Sequence, residues 1–551
     1  MKLPLLILVA LAINARAAEP TKIDPEPGWP MASGPFGNYT ARRQGLKLVD
    51  DPKDIRAVWH NTTADLGWAK GSASYLAKIA SRTESHPGAF SGPIIAAGKV
   101  FASSFKPSGT AVAKSGAETP GPAWNKNAAI LADDFVVAVD FATGKEVWRA
   151  VEKEAGLNFA MSKRGGWGVA PVYCRGMVVS LGTGGMLRGY DAETGAKRWE
   201  TKSEPYFAMA QKARATALAK QEIPDLIYDA CLPLLVVGGT VVVPQFDGVE
   251  CTLVGVDALT GAVKWTVPKA TSPRAIPAIW RHEGKEYVIA STAGRAVRGQ
   301  SAGAVRCIDG ETGKVLWKLE PVGPNFAPLI VEGDMLLIHD GTKLTVPQMK
   351  ALMDPEMLNH PDFQHESKSL SDTKSIVVVA AYRLGLDKAE RVWSMPDTPA
   401  GWYPNWPDCD AMRHILTQNG LAYLYRNFGP HSITNSCSMH ILDVKTGAEI
   451  WKWVGTWEGF EQRPMPITGQ SYLVEDLLIN YPDAAHGDRL TAQFYRVTDK
   501  SLTLLPGVWK PDHKNTTAYQ TFMETPIADG RIVMRSEDGG LHCYDLRKEQ
   551  P

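Results

Sequence analysis

Short apolar runs separated by polar turns recur along the chain, and their period is that of strands, not helices. Val136-Val137-Ala138-Val139 is one such run, and it is followed within a few residues by the short segment Glu146-Val147-Trp148. Between the two lies Asp-x-x-Thr-Gly. The whole pattern, Asp-x-x-Thr-Gly-x-x-x-Trp, occurs five times with its spacing intact: Asp140 to Trp148, Asp191 to Trp199, Asp257 to Trp265, Asp309 to Trp317 and Asp443 to Trp451. Each copy predicts a β-hairpin. Its Gly supplies the left-handed conformation that a short bulged loop needs, and its Asp and Thr satisfy the exposed turn amides. The Trp is a large rigid apolar surface with one donor, suited to wedge between neighbouring sheets.

Two altered copies extend the series, Tyr382-Arg383-Leu384 leading to Trp393 and Phe494-Tyr495-Arg496-Val497 leading to Trp509. The last is split between the ends of the chain. Ile55-Arg56-Ala57-Val58-Trp59 is an outer-strand run with its Trp but no preceding loop. Leu541-His542-Cys543-Tyr544-Asp545 is a strand with its repeat Asp but no following Trp. The expectation is an all-β fold, an eight-bladed β-propeller with tryptophan-docking repeats over residues 51–551, closed by pairing of the N- and C-terminal strands. Uneven spacing between the Trp residues places insertions near 106–129, 201–230 and 343–372. The first is rich in Gly, Ser and Pro and reads as a long loop. The Ala-rich stretch 205–222 reads as a helix, and 345–360 as a place for short helices.

Composition agrees with a large folded core: 44% of residues are hydrophobic, with 50 Gly and 38 Pro for turns. Lys plus Arg equals Asp plus Glu, so no global field draws in nucleic acid or an acidic membrane. Lys2, the apolar run Leu3 to Ile13 and Ala15-Arg16-Ala17 read as a signal peptide over 1–17, predicting a secreted or periplasmic monomer without a membrane anchor. Residues 18–50 read as an irregular arm. Of seven cysteines, none stands in a C-x-x-C pattern, and Cys307 and Cys543 share a register two before the repeat Asp, as buried thiols would.

The repeat resembles that of the pyrroloquinoline-quinone (PQQ)-type propellers, a superfamily that includes quinoprotein alcohol dehydrogenases and the lipoprotein of the outer-membrane barrel-assembly machine. The resemblance implies a site at the channel mouth, lined by the segments leading into the innermost strands and by the loops between the middle strands. For a quinone-dependent enzyme, the resemblance implies Trp167 or Trp406 beneath the cofactor, with Asn405 beside it. Arg164, Arg274 or Arg463 would hold its carboxylates, and Asp229, Asp410 or Glu524 would share calcium ligation and proton abstraction. The chain departs from many dehydrogenases of this kind in having no adjacent Cys-Cys pair and no haem motif. The leading expectation is therefore a module that binds an envelope protein or a glycan at the channel mouth. A PQQ- and calcium-dependent oxidoreductase acting on an alcohol or sugar is the alternative.

Other motifs read as structure. His360-x-Asp362-x-x-His365 sits in an insertion, and His440 and His542 fall on strands three before the repeat Asp. Asn38, Asn61 and Asn515 open Asn-x-Thr sequons, which bear on a eukaryotic secretory route only.

Overall fold

The structure is a computed structural model. It describes residues 27–66, 92–115, 127–161, 169–220, 233–246, 251–272, 276–292, 303–322, 329–345, 373–396, 415–427, 436–456, 471–480, 492–507, 509–511, 525–535 and 539–548. The described residues form eight four-stranded antiparallel sheets, the predicted propeller. In chain order blades I to VII span Ile94–Met161, Val172–Lys202, Leu235–Thr271, Ala278–Val322, Ile330–Pro396, Leu416–Thr456 and Ser471–Leu504. Blade VIII takes its three inner strands from Ile527–Asp545 and its outer strand from Arg56–Asn61. That strand pairs with the last one through His60 opposite His542 and Trp59 opposite Cys543, with a bulge at Val58. The ring is closed by hydrogen bonds between the two ends of the chain, as the split repeat predicts.

The repeat explains how blades pack. In each intact loop the Asp accepts from the Thr amide and hydroxyl, as Asp309 Oδ1 does from Thr312 N and Oγ1, both at 2.8 Å. The following Gly has a positive φ, +71° at Gly313. A Cβ there would lie 2.6 Å from the ring of Trp265 in the preceding blade, so only Gly lets the loop close onto it. The indole N–H then donates to the carbonyl just past the next blade's loop start: Trp59 to Phe141, Trp148 to Ala192, Trp199 to Ala258, Trp265 to Gly310, Trp317 to Gly385 and Trp393 to Val444, at 2.7–3.1 Å. Each ring is thus a wedge with its one polar atom satisfied. Trp509 departs from the expected position. It pairs with Ala492 at the far end of its blade's third strand, and the place that Trp takes in other blades is taken by Leu505, whose amide donates to Phe494 O at 2.8 Å. Cys307 and Cys543 are the buried thiols expected; burial pushes both up to about 12, keeping them protonated and inert.

Two insertions are visible. The described parts of 106–129 are strand, not loop: blade I's second and third strands run on as Lys99–Ser115 and Asn127–Asp140, and its outer strand as Glu146–Met161. Tyr206–Lys220 is the expected helix, burying Tyr206, Ala210, Ala213 and Ala217 on one stripe. Residues 345–360 lie, apart from the last strand residue, outside the described set.

The arm is ordered and buried over much of its described part. Trp29 bridges Ile95 of blade I, Thr40 bridges Leu473 of blade VII, and Leu48 bridges Arg547 beside blade VIII. Trp29, Met31, Ser33, Asn38 and Tyr39 are each less than 5% exposed. The arm therefore crosses the ring on the face where the inner-strand turns lie, joining blades remote in sequence. Burial also removes Asn38 and Asn61 as glycan acceptors; Asn61 instead caps its own turn and donates to Gly144 O.

Candidate functional site

The two faces of the ring differ. On one, the inner-strand turns and the Asp-Thr-Gly loops meet, as Phe141 N donating to Gly98 O and Ala192 N to Gly176 O show, and the arm lies across them. The other carries the loops between middle strands and the links between blades, the predicted channel mouth. There blade I is built up. Its second strand runs past Phe105 to Ser115 with two bulges, and its partner advances from Asp134 to Asn127, roughly 24 Å of sheet beyond Phe105. Blade V extends on the same side, with strands Met335–Thr345 and Thr373–Leu384.

A charged network roots this extension against blade II. Thr183 donates through its hydroxyl to Asp134 Oδ1 at 2.6 Å, and Arg188 lies 3.6 Å from Asp134 Oδ2 while donating to Glu200 at 2.6 Å. Lys197 joins Glu152 to Glu200, and the Tyr190 hydroxyl donates to Glu152. Burial pushes the Asp134 carboxyl upward, against the opposing pull of Thr183 and Arg188. Blade II's turn reaches close enough that a Cβ at Gly184 would sit 2.0 Å from Ala155 O, so that position must be glycine. The helix completes the support: Gln211 donates to Gly184 O and Arg214 to Glu154 O, at 3.1 and 2.7 Å. Lys106 pairs with Asp65 at 2.7 Å on the same side. The sequence does not single out the groups of this network, because it joins four separate strands and a turn.

Asp229, Asp410, Glu524, Trp167, Trp406, Arg164, Arg274, Arg463 and Asn405 all lie outside the described residues. Among the described residues no group of three or more His, Cys, Asp or Glu is placed to hold a metal ion. His440 is a buried strand residue with Nδ1 2.8 Å from Glu449, as read from sequence, and His542 stacks on His60 at 3.6 Å between ring centroids. No helix among the described residues is long and apolar enough to cross a membrane.

Comparison with known proteins places the repeat. Residues 132–279, from blade I into blade IV, match a family profile described as outer membrane protein assembly factor BamB. Similar solved structures include BamB from Moraxella catarrhalis, 12% identical, covering 76% of this chain and 90% of that one with a TM-score of 0.41. A quinohemoprotein alcohol dehydrogenase from Comamonas testosteroni is 12% identical, covering 95% and 82% with a TM-score of 0.47. A europium-containing methanol dehydrogenase is 12% identical, covering 95% and 98% with a TM-score of 0.46. A search of curated proteins gives no significant match. The chain is an eight-bladed β-propeller, as its repeats suggested, and the family profile covers its residues 132–279.

Proposed function

We propose that this propeller is an exported scaffold that binds a protein partner of the cell envelope, with a glycan as the other ligand class, through the face that blade I builds up. The observation that carries this reading is the long extension of blade I's sheet, rooted by the Asp134–Arg188 network and the helix. An ordered projection of that length on a rigid ring costs ordering entropy and offers contact area, the usual design of a binding element. The family profile over residues 132–279, described as an outer-membrane assembly factor, supports a protein partner and an envelope location.

The test replaces residues 108–130 with a two-residue Asn-Gly turn, which leaves the ring's own strands in place. Capture of a partner from envelope extract, and binding on a glycan array, should be lost in that variant while its melting curve stays cooperative. Retained capture sinks the reading. The alternative, a PQQ- and calcium-dependent oxidoreductase, is tested in parallel by reconstituting the intact chain with both and assaying dye reduction over alcohols and sugars. Turnover abolished by Asp410→Ala or Arg463→Ala would replace the scaffold reading.

A further inference from the structure

We infer that the arm-covered face carries a binding site for a small organic anion, a carboxylate or phosphate with an apolar body. A cavity of about 480 Å³ lies between the arm and the inner-strand turns of blades IV, V and VI. That volume falls within the roughly 300–1,000 Å³ of small-molecule sites. Phe36, Ile279 and Val331 give it an apolar wall, and its charged lining is three arginines, Arg42, Arg43 and Arg281, against one carboxylate, Glu332.

Most polar groups there are committed to shaping the cavity. Arg281 donates through Nε to Glu286 at 2.7 Å and through its terminal nitrogens to Phe36 O and Pro35 O, which fastens the arm. Glu332 Oε1 accepts from Gly420 N at 3.0 Å and fixes the blade VI turn. Asn38 donates to Thr417 Oγ1, and the Thr40 hydroxyl donates to Thr417 O. Two features remain that face a ligand. Gln418 is 7% exposed, lines the cavity, and has an amide nitrogen with no hydrogen-bond partner among the described residues. A buried amide donor left unpaired is costly, and it is tolerated where a ligand accepts from it. Arg43 is half exposed and lies 3.8 Å from the Glu475 carboxylate, which already accepts from the backbone amides of Gln44 and Gly45. Arg43 therefore offers a forked donor suited to an oxyanion, and Arg42 adds a second positive charge to the lining.

Calorimetry on the full chain with phenylacetate and phenyl phosphate tests this, with benzyl alcohol as the neutral control. At least one anion should bind and the alcohol should not. The Arg42→Gln/Arg43→Gln double variant should weaken binding by roughly tenfold or more. Gln418→Leu, close in volume, should weaken it several-fold, and Arg198→Gln on blade II's outer strand should leave it unchanged. The variant lacking the blade I projection should still bind, so failure of the scaffold reading leaves this one standing. Binding of neither anion, equal binding of the alcohol, or undiminished affinity in Gln418→Leu and the double variant overturns the assignment.

Discussion

Blade III carries an intact repeat and blade VII a broken one, yet each sends a tryptophan, only 6% exposed, against its surroundings. In blade III, Trp265 sits opposite Gly255, two before the repeat Asp, and its indole donates to Gly310 O of blade IV. In blade VII the loop is a Thr turn in which Thr498 Oγ1 accepts from Ser501 N, and Trp509 lies at the other end of the strand, edge-on to Tyr544 of blade VIII at 5.0 Å. The difference separates two roles that the repeat fuses. Filling the wedge between sheets with a large ring is the requirement the ring of blades imposes. The Asp-Thr-Gly loop is one of several ways to turn the chain, and its loss is absorbed locally.

The largest effect should come from removing a whole wedge with its strand. Deleting residues 52–62 takes away both Trp59 and the closure of blade VIII, so the loss exceeds the about 3–5 kcal/mol of a single buried Trp. Thermal unfolding should shift down by many degrees, and an unchanged melt would show that closure contributes nothing. Next, Trp265→Ala and Trp509→Ala should each cost about 3–5 kcal/mol in denaturant unfolding despite their different loops. If Trp509→Ala costs under about 1 kcal/mol, the separation of roles fails.

Gly313→Ala sharpens the same contrast. Its Cβ would strike the ring of Trp265 from a left-handed backbone, and a cost of about 1–3 kcal/mol is expected. Trp265 Cβ and Cγ are both 2.6 Å from the added atom, so the steric part should disappear in a Trp265→Gly background, which a double-mutant cycle reads directly. Gly507, in blade VII, has open space around it, so Gly507→Ala should cost only its backbone strain.

These positions also show why the fold was legible in the sequence. An Asp and a Trp eight residues apart make a complete local unit, and five copies of it specify turn, strand and wedge without any knowledge of distant contacts. Trp509 was assigned its blade but not its register, because it follows Val497 at a distance no intact copy has. The two proposed binding faces are much less legible. Gln418 and Arg42 are separated by hundreds of residues and meet only because the arm crosses the ring. The projecting sheet was read as a loop because Gly, Ser and Pro dominate its sequence, while its strands are held by pairing across the hairpin.

The smallest effect isolates the loop carboxylate from the wedge. In blade II, Asp191 accepts from the Arg198 guanidinium at 2.8 Å and from the Thr194 amide and hydroxyl at 3.0 Å, which together hold its carboxyl down to about 2. A folded-state value below the unfolded one means that ionisation favours the fold. The contribution is therefore fully present above about pH 4, where the unfolded carboxyl is ionised, and fades as pH falls toward about 2. The site is exposed and screened, so its worth is roughly a few tenths of a kcal/mol to 1 kcal/mol. Asp191→Asn should lower stability slightly at pH 7, and the gap from the unsubstituted chain should close between about pH 4 and 2. The Trp199 wedge, which carries no titrating group, should give a Trp199→Ala penalty that holds constant across the same window. A gap for Asp191→Asn that stays open at pH 2 would mean that the Asp acts through packing and not charge, and the loop would then be part of the wedge after all.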